Sequence, residues 1–143
     1  MQISEDLVRA AMEFEGFRAT PYKDIAGCWT IGYGKKMNNP PAEGMTVTQA
    51  DAEDDLRVEL QHCADMVLKI CRQPLSQGQL DALTDFAFNL GIGNLQNSTL
   101  LRRLNSGDFD GAADEFLRWD HAGGKEVPGL KARRSKEQSW FLS

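Results

Sequence analysis

Apolar side chains recur every three or four positions over most of this chain, and the alternation that marks a strand is confined to one short stretch. Leu7, Ala10, Ala11 and Phe14 share one face of a predicted helix from Ser4 to Phe14. Ser4 serves as its N-cap, Glu5 and Asp6 suit the positive end of its dipole, and Gly16 stops it. The run Cys28-Trp29-Thr30-Ile31-Gly32-Tyr33-Gly34 is aromatic, β-branched and punctuated by glycine. It predicts a small antiparallel hairpin or three-stranded sheet between Phe17 and Lys36. A loop follows at Asn38-Asn39-Pro40-Pro41, and Thr46-Val47 can add a short extended piece.

Thr48, with Asp51 three residues on, opens a helix of roughly 20 residues that runs towards Cys71 and must end before Pro74. Leu56, Leu60, Cys63, Val67 and Ile70 mark its expected buried face. Ser76 and Gln79 form a capping box for the most apolar helix, carrying Leu80, Leu83, Phe86, Ala87 and Leu90 to a stop at Gly91-Ile92-Gly93. A short helix covers Ser98 to Asn105. Asp108 or Asp110 caps the next, which carries Ala112, Ala113, Phe116 and Trp119 until Gly123-Gly124 breaks it, and Pro128 or Gly129 starts a last helix ending near Leu142.

These elements predict an α+β fold in a single domain spanning residues 1–143. The expected organisation is a small sheet lobe over about 15–47, a connecting helix over about 48–72, and a helical lobe over about 73–143 joined by the N-terminal helix, about 4–15. A chain of 143 residues buries roughly 70% of its unfolded surface and needs no metal or disulfide staple.

Charge narrows the function classes. The net charge of −5 argues against a partner held through phosphates, so no nucleic acid is expected. The charge is uneven: Glu43 to Asp65 is acidic, whereas Arg118, Lys125, Lys131, Arg133, Arg134 and Lys136 make the Arg118–Lys136 segment basic. Such runs are solvated helix faces or, for the basic one, a surface for an anionic polymer. The odd number of cysteines, Cys28, Cys63 and Cys71, leaves a thiol without an intramolecular partner. Cys63 and Cys71 lie about two helical turns apart, too far to bridge, and three free thiols fit a reducing compartment. No metal-ligand spacing is present, and MQISEDLVRAAMEFE has neither a basic start nor an apolar core, so neither signal peptide nor membrane anchor is expected.

Glu15 and Asp24 are the first candidates for chemistry. Glycoside hydrolysis uses one carboxyl as general acid and a second, ionised, to activate water or attack the sugar. Glu15 closes a helix at the negative end of its dipole, an unfavourable place for a carboxylate, among Phe14, Phe17, Tyr22 and Trp29. Asp24 falls in a polar turn, and Thr30 on the following strand can hold a water with it. By spacing alone the pair reads equally as a surface carboxylate and a turn former. Trp29, Asn89 and Arg133 are the candidate substrate-binding residues: an aromatic in the hairpin, a polar residue at a helix end, and a cation in Lys131–Arg134. Phe116, Trp119 and Trp140, at helical spacing, read as core. His62 and His121 have no local partner that suggests a triad.

EGFRATPYKDIAGCWTIGYG resembles the catalytic stretch of the bacteriophage lysozyme (endolysin) family, glycoside hydrolase family 24, with Glu-x8-Asp-x5-Thr at Glu15, Asp24 and Thr30. FNLGIGNLQNSTLLRRLNSGDF, AADEFLRWDHAGGK and PGLKARRSKEQ are similar to that family's helical lobe, in the same order and register. The resemblance implies a lysozyme-like fold with a cleft between the lobes. It implies hydrolysis of the β-1,4 bond between N-acetylmuramic acid and N-acetylglucosamine in peptidoglycan, with Glu15 as general acid, Asp24 assisting the water or stabilising the sugar cation, and Thr30 orienting that water. No cofactor is implied, and a monomer acting on glycan strands is expected. The implied route is accumulation in the host cytoplasm until lysis, release through a separate membrane pore protein (a holin), and action on the wall in the periplasm. Some members of the family carry an N-terminal anchor instead. Lys35 follows the Gly-x-Gly strand end where the family often has a His, which puts local pairing there in question.

Two other readings compete. A lytic transglycosylase dispenses with the water-assisting carboxylate and leaves anhydro sugar ends. A non-catalytic wall-binding or tail-structural module needs neither acid.

Overall fold

A computed structural model describes residues 1–122 and 124–143. Helix α1 (Glu5–Glu15) begins where Ser4 accepts a hydrogen bond from the Leu7 amide and ends at Gly16, whose φ of 72° only glycine adopts readily. Its apolar stripe, Leu7, Val8 and Ala11, packs with Tyr33 from the sheet and with Ala52, Leu56 and Leu60 from the long helix. α1 therefore shares a core with Tyr33 of the sheet and with the long helix, and Phe88 and Trp140 of the helical lobe pack against the same cluster.

Strands β1 (Arg18–Lys23), β2 (Trp29–Gly32) and β3 (Lys35–Lys36) form an antiparallel sheet in the order β1-β2-β3. The register sets Tyr22 opposite Thr30 and Thr30 opposite Lys36. Thr30 thus occupies the middle strand, beside one aromatic and one cation. Thr46 and Val47 form no strand; Val47 instead donates one backbone bond to Ala19, at 2.9 Å.

Helix α2 (Gln49–Ile70) is capped by Thr48, which accepts from the Asp51 amide at 3.1 Å. Its buried face is Ala52, Leu56, Leu60, Ala64 and Val67. Ala64 takes the place expected for Cys63, and Ile70 is only half-buried, because the 56/60/64/67 row keeps the i, i+4 ridge facing the core. Helix α3 (Gln77–Leu90) starts from the capping box of Ser76 and Gln79 and is buried continuously from Leu80 to Ala87. Around it lies the larger core, with Leu83, Phe86, Leu100, Leu104, Phe116 and Phe141.

Three short helices, α4 (Ile92–Gln96), α5 (Thr99–Asn105) and α6 (Phe109–Glu115), follow, with Ser98 and Asp108 capping the last two. Asp108, not Asp110, is the cap, since its carboxylate accepts from the Gly111 amide at 2.9 Å. A single 3₁₀ turn, Phe116–Arg118, ends the helix before Trp119. The expected break at Gly123-Gly124 lies partly outside the described residues. On either side of it, β4 (His121–Ala122) and β5 (Lys125–Glu126) pair antiparallel, a hairpin too short to leave an alternating pattern. Helix α7 (Pro128–Leu142) then packs along α3. No helix among the described residues is long and apolar enough to cross a membrane.

Candidate active site

The sheet, the end of α1, the middle of α2 and the end of α3 enclose an open cleft of about 700 Å³. Glu15, Asp24 and Thr30 all line it, so three separate elements bring the predicted residues to one place.

Glu15 is the last residue of α1, and its side chain is 20% exposed. Arg133 donates to its Oε2 at 2.6 Å. On the other side, a Cβ placed on Gly34 would stand 2.5 Å from Glu15 Oε1. Gly34 therefore makes room for the carboxyl as well as supplying a φ of +76°, and a side chain there must displace Glu15.

Asp24 opens the turn between β1 and β2. Its backbone exchanges hydrogen bonds with Cys28 and Gly27, and its Oδ1 accepts from the Cys28 amide at 2.8 Å. Lys36 Nζ reaches across from β3 to Oδ2. These contacts, the Lys36 ammonium first and the Cys28 amide second, hold the Asp24 carboxyl below the ordinary aspartate value. The site thus contains one carboxylate built to stay ionised. Replacing Lys36 with Met is expected to let Asp24 take up its proton at higher pH. If activity needs ionised Asp24, the acid limb of the kcat/KM profile then moves to higher pH, and an unmoved limb would exclude that coupling.

Thr30 is 1% exposed. Its Oγ1 donates to the Cys28 carbonyl at 3.0 Å, which fixes the hydroxyl and leaves its lone pairs able to accept from a water in the cleft.

The three expected sugar contacts divide. Asn89 lines the cleft, and its Oδ1 accepts from Arg134 at 2.9 Å. Trp29 is absent from the lining; it lies half-buried with Lys23 Nζ 5.3 Å from its ring. Arg133 is 4% exposed and paired with both Asp85 and Glu15, so its guanidinium is committed to the interior and reaches the site through Glu15. Much of the basic Arg118–Lys136 segment is likewise paired with acids, while Lys125 and Lys136 stay exposed. Arg118 pairs with Glu115, Lys131 with Glu126 and Arg134 with Glu137, because the acidic partners come from neighbouring turns. Lys35 finds Asp55 at 3.2 Å, which answers the question of pairing at that position.

The wall facing Glu15 was not anticipated. Val58, Glu59, His62 and Cys63 from α2 and Phe88 from α3 complete the lining. Glu59, His62 and Cys63 stand at i, i+3 and i+4, one helix face adjacent to the buried ridge, and that spacing was the available signal. Burial pushes the Glu59 carboxyl up, with the Asp55 and Glu15 carboxylates adding to the shift and Lys35 opposing it.

A sheet lobe and a helical lobe flanking a cleft, with a helix-end glutamate facing a turn aspartate, define a lysozyme-like α+β protein. The muramidase domain of SpmX from Asticaccaulis excentricus superposes with a TM-score of 0.89 at 36% identity, covering 99% of this chain and 98% of that one. The endolysin of Salmonella phage P22 is 40% identical over 146 residues, covering 100% of this chain and 99% of the relative. The endolysin of Bacillus phage B103 is also 40% identical over 146 residues and covers 100% of this chain, which spans only 55% of that longer relative. Residues 12–137 match the family described as Phage lysozyme, and the chain belongs to that family.

Proposed function

We propose that the protein is a muramidase that hydrolyses the β-1,4 bond between N-acetylmuramic acid and N-acetylglucosamine in peptidoglycan during phage-induced lysis. The observation that carries this reading is the convergence of Glu15, Asp24 and Thr30 on one open cleft of sugar-binding size. Glu15 protonates the glycosidic oxygen as the bond breaks. Asp24, kept ionised by Lys36 and the Cys28 amide, faces the positive charge that develops at the anomeric carbon and assists the attacking water. Thr30, immobilised through Cys28, orients that water. Asn89 is positioned to contact the glycan from the opposite wall.

The product distinguishes this reaction from its neighbours. Purified peptidoglycan treated with the protein is expected to gain reducing ends that are muramic acid. Anhydro ends, reducing glucosamine ends, or no new ends would each overturn the reading. Passage to the wall through a separate membrane pore is part of the same proposal. Cells of a Gram-negative host expressing the chain alone should stay intact until chloroform is added and then lyse, whereas lysis before that step would contradict it.

A further inference from the structure

Most cations among the described residues meet an acid at ion-pair distance. Arg18, Lys23 and Lys136 do not, but each lies over an aromatic ring. Apart from Lys125 on β5, the cations with neither kind of partner are Lys69, Arg72 and Arg102. All three are exposed, and all three line one pocket of about 540 Å³ on the helical lobe, away from the cleft. Gln96, Asn105 and Ser106 add polar groups to its wall, and no carboxylate lines it. The acids nearest in sequence are engaged elsewhere: Asp65 accepts from Gln61 at 3.1 Å, and Asp108 pairs with Arg103.

The backbone around this pocket is pinned. Asn105 ties the exit of α2 to the end of α5: its Oδ1 accepts from the Arg72 amide at 2.8 Å, and its Nδ2 donates to the Ile70 carbonyl at 3.1 Å. Arg102 is held locally, with Nη1 donating to the Asn97 carbonyl at 3.2 Å and Nη2 to Thr99 Oγ1 at 2.8 Å. Those two bonds leave its other N–H groups for a ligand. Lys69 and Arg102 also sit in the last turns of α2 and α5, where a cation offsets the negative helix end. Magnitudes show that this is only part of their role. Each helix end is worth about half an elementary charge, so two ends offset about one of the three positive charges and leave an excess of about +2. Lys69 follows His62 of the cleft wall by about two helical turns, roughly 10 Å along α2, so pocket and cleft lie on the same side of that helix.

We propose that the pocket formed by Lys69, Arg72 and Arg102 binds a phosphate group, either free or as a monoester such as a lipid headgroup. A carboxylate carries a single charge and is satisfied by one guanidinium fork. A phosphate monoester is close to a dianion with three strong acceptor oxygens, which matches both the local excess of charge and the arrival of three cations from separate segments. Arg72 and Arg102 supply paired N–H donors to its oxygens, and Lys69 acts as a compact point charge. The pocket is larger than the ion needs, so an attached organic group has room. The site is independent of the hydrolytic steps and goes beyond them.

The test is a titration of the ¹⁵N-labelled protein with inorganic phosphate near pH 8, where the ion is mainly a dianion, against sodium chloride at matched ionic strength. The Arg72 amide, the Asn105 side-chain amide and the Nε–H groups of Arg72 and Arg102 should shift saturably with phosphate and not with chloride. Arg72→Gln is expected to weaken binding roughly tenfold, and the triple variant Lys69→Gln, Arg72→Gln, Arg102→Gln to abolish saturation. These side chains are exposed, so the fold should persist, which the rest of the spectrum reports. Lys125→Gln removes an equal charge outside the pocket and should leave binding unchanged. Equal shifts with chloride, saturation that survives in the triple variant, or a Lys125→Gln variant as weak as Arg72→Gln would each overturn the proposal. Sedimentation with phosphatidylcholine vesicles, with and without phosphatidic acid, separates the two sources. Retention only on the acidic vesicles, lost in the triple variant, assigns the site to a headgroup, whereas phosphate binding without retention assigns it to the free ion. Whether Glu15→Gln keeps or loses hydrolysis, the phosphate titration decides this site.

Discussion

Glu15→Gln is expected to lower the rate of reducing-end release from peptidoglycan by roughly 10²- to 10⁴-fold, the usual contribution of a general acid. The substitution isolates the proton. An amide keeps the shape of the side chain, still offers an oxygen to Arg133, and still fits against Gly34. Folding should therefore be retained, and the melting temperature reports whether it is. Glu13→Gln is the matched control, since Glu13 is an exposed acid two residues away on the same helix and should change nothing. A fully active Glu15→Gln variant would remove the hydrolytic mechanism and favour a wall-binding module.

The largest effect on stability is expected at Arg133. Arg133→Leu leaves Asp85, 0% exposed, without its two charge-assisted bonds and strips Glu15 of its cation. Breaking a buried pair by removing one partner costs about 3–5 kcal/mol, because the other charge stays buried and uncompensated. Against a total of about 5–15 kcal/mol this is a large fraction of the fold's stability. For a chain of this size it corresponds to a fall in melting temperature of roughly 6–20 °C. The Arg57–Glu5 pair also joins distant segments with short bonds, yet both side chains are well exposed to screening solvent, and its loss should cost far less than that of the buried pair. Burial, not bond length, separates the two.

The sign with pH follows from Asp85. Arg133 holds its carboxyl below the ordinary value, so the wild-type pair contributes stability above that range and loses it as pH falls and Asp85 protonates. In Arg133→Leu that contribution is already absent, and the gap between the two proteins in urea melts should narrow towards acid pH. Adding Asp85→Asn to Arg133→Leu should recover part of the loss, since no buried charge is then left alone. A single variant within about 1 kcal/mol of wild type would show that the pair is structurally dispensable, as an exposed pair would be.

The parts of the fold that were legible beforehand share a physical feature: their decisive contacts are local. Ser4, Thr48, Ser76, Ser98 and Asp108 each accept from an amide three residues on, so the residue that starts the helix is written beside it. Gly16 and Gly91 close helices with φ values of 72° and 97°, again a property of one residue. The candidate catalytic stretch was legible for a similar reason. Within 20 residues it holds a helix end, a tight turn and a short strand, and the turn residue Asp24 is bonded to Cys28, four positions away.

What stayed hidden depended on distance along the chain or on choosing among helix faces. The cleft wall from α2 was read only as a connector, because Glu59, His62 and Cys63 differ from an ordinary solvated face only in what stands opposite. The basic run near the C-terminus read as a solvated face, although Arg118, Lys131, Arg133 and Arg134 close onto Glu115, Glu126, Glu137, Asp85 and Glu15 once the turns form.

The sequence by itself determined the order of helices, the small sheet and the trio of Glu15, Asp24 and Thr30, since caps, glycines and spacing act within a few residues. Only the tertiary structure decided that Arg133, 118 positions from Glu15, is its buried partner. A guanidinium carries the same charge in water or in the interior, and the packing of α7 against α3 and α1 selects which carboxylates it meets.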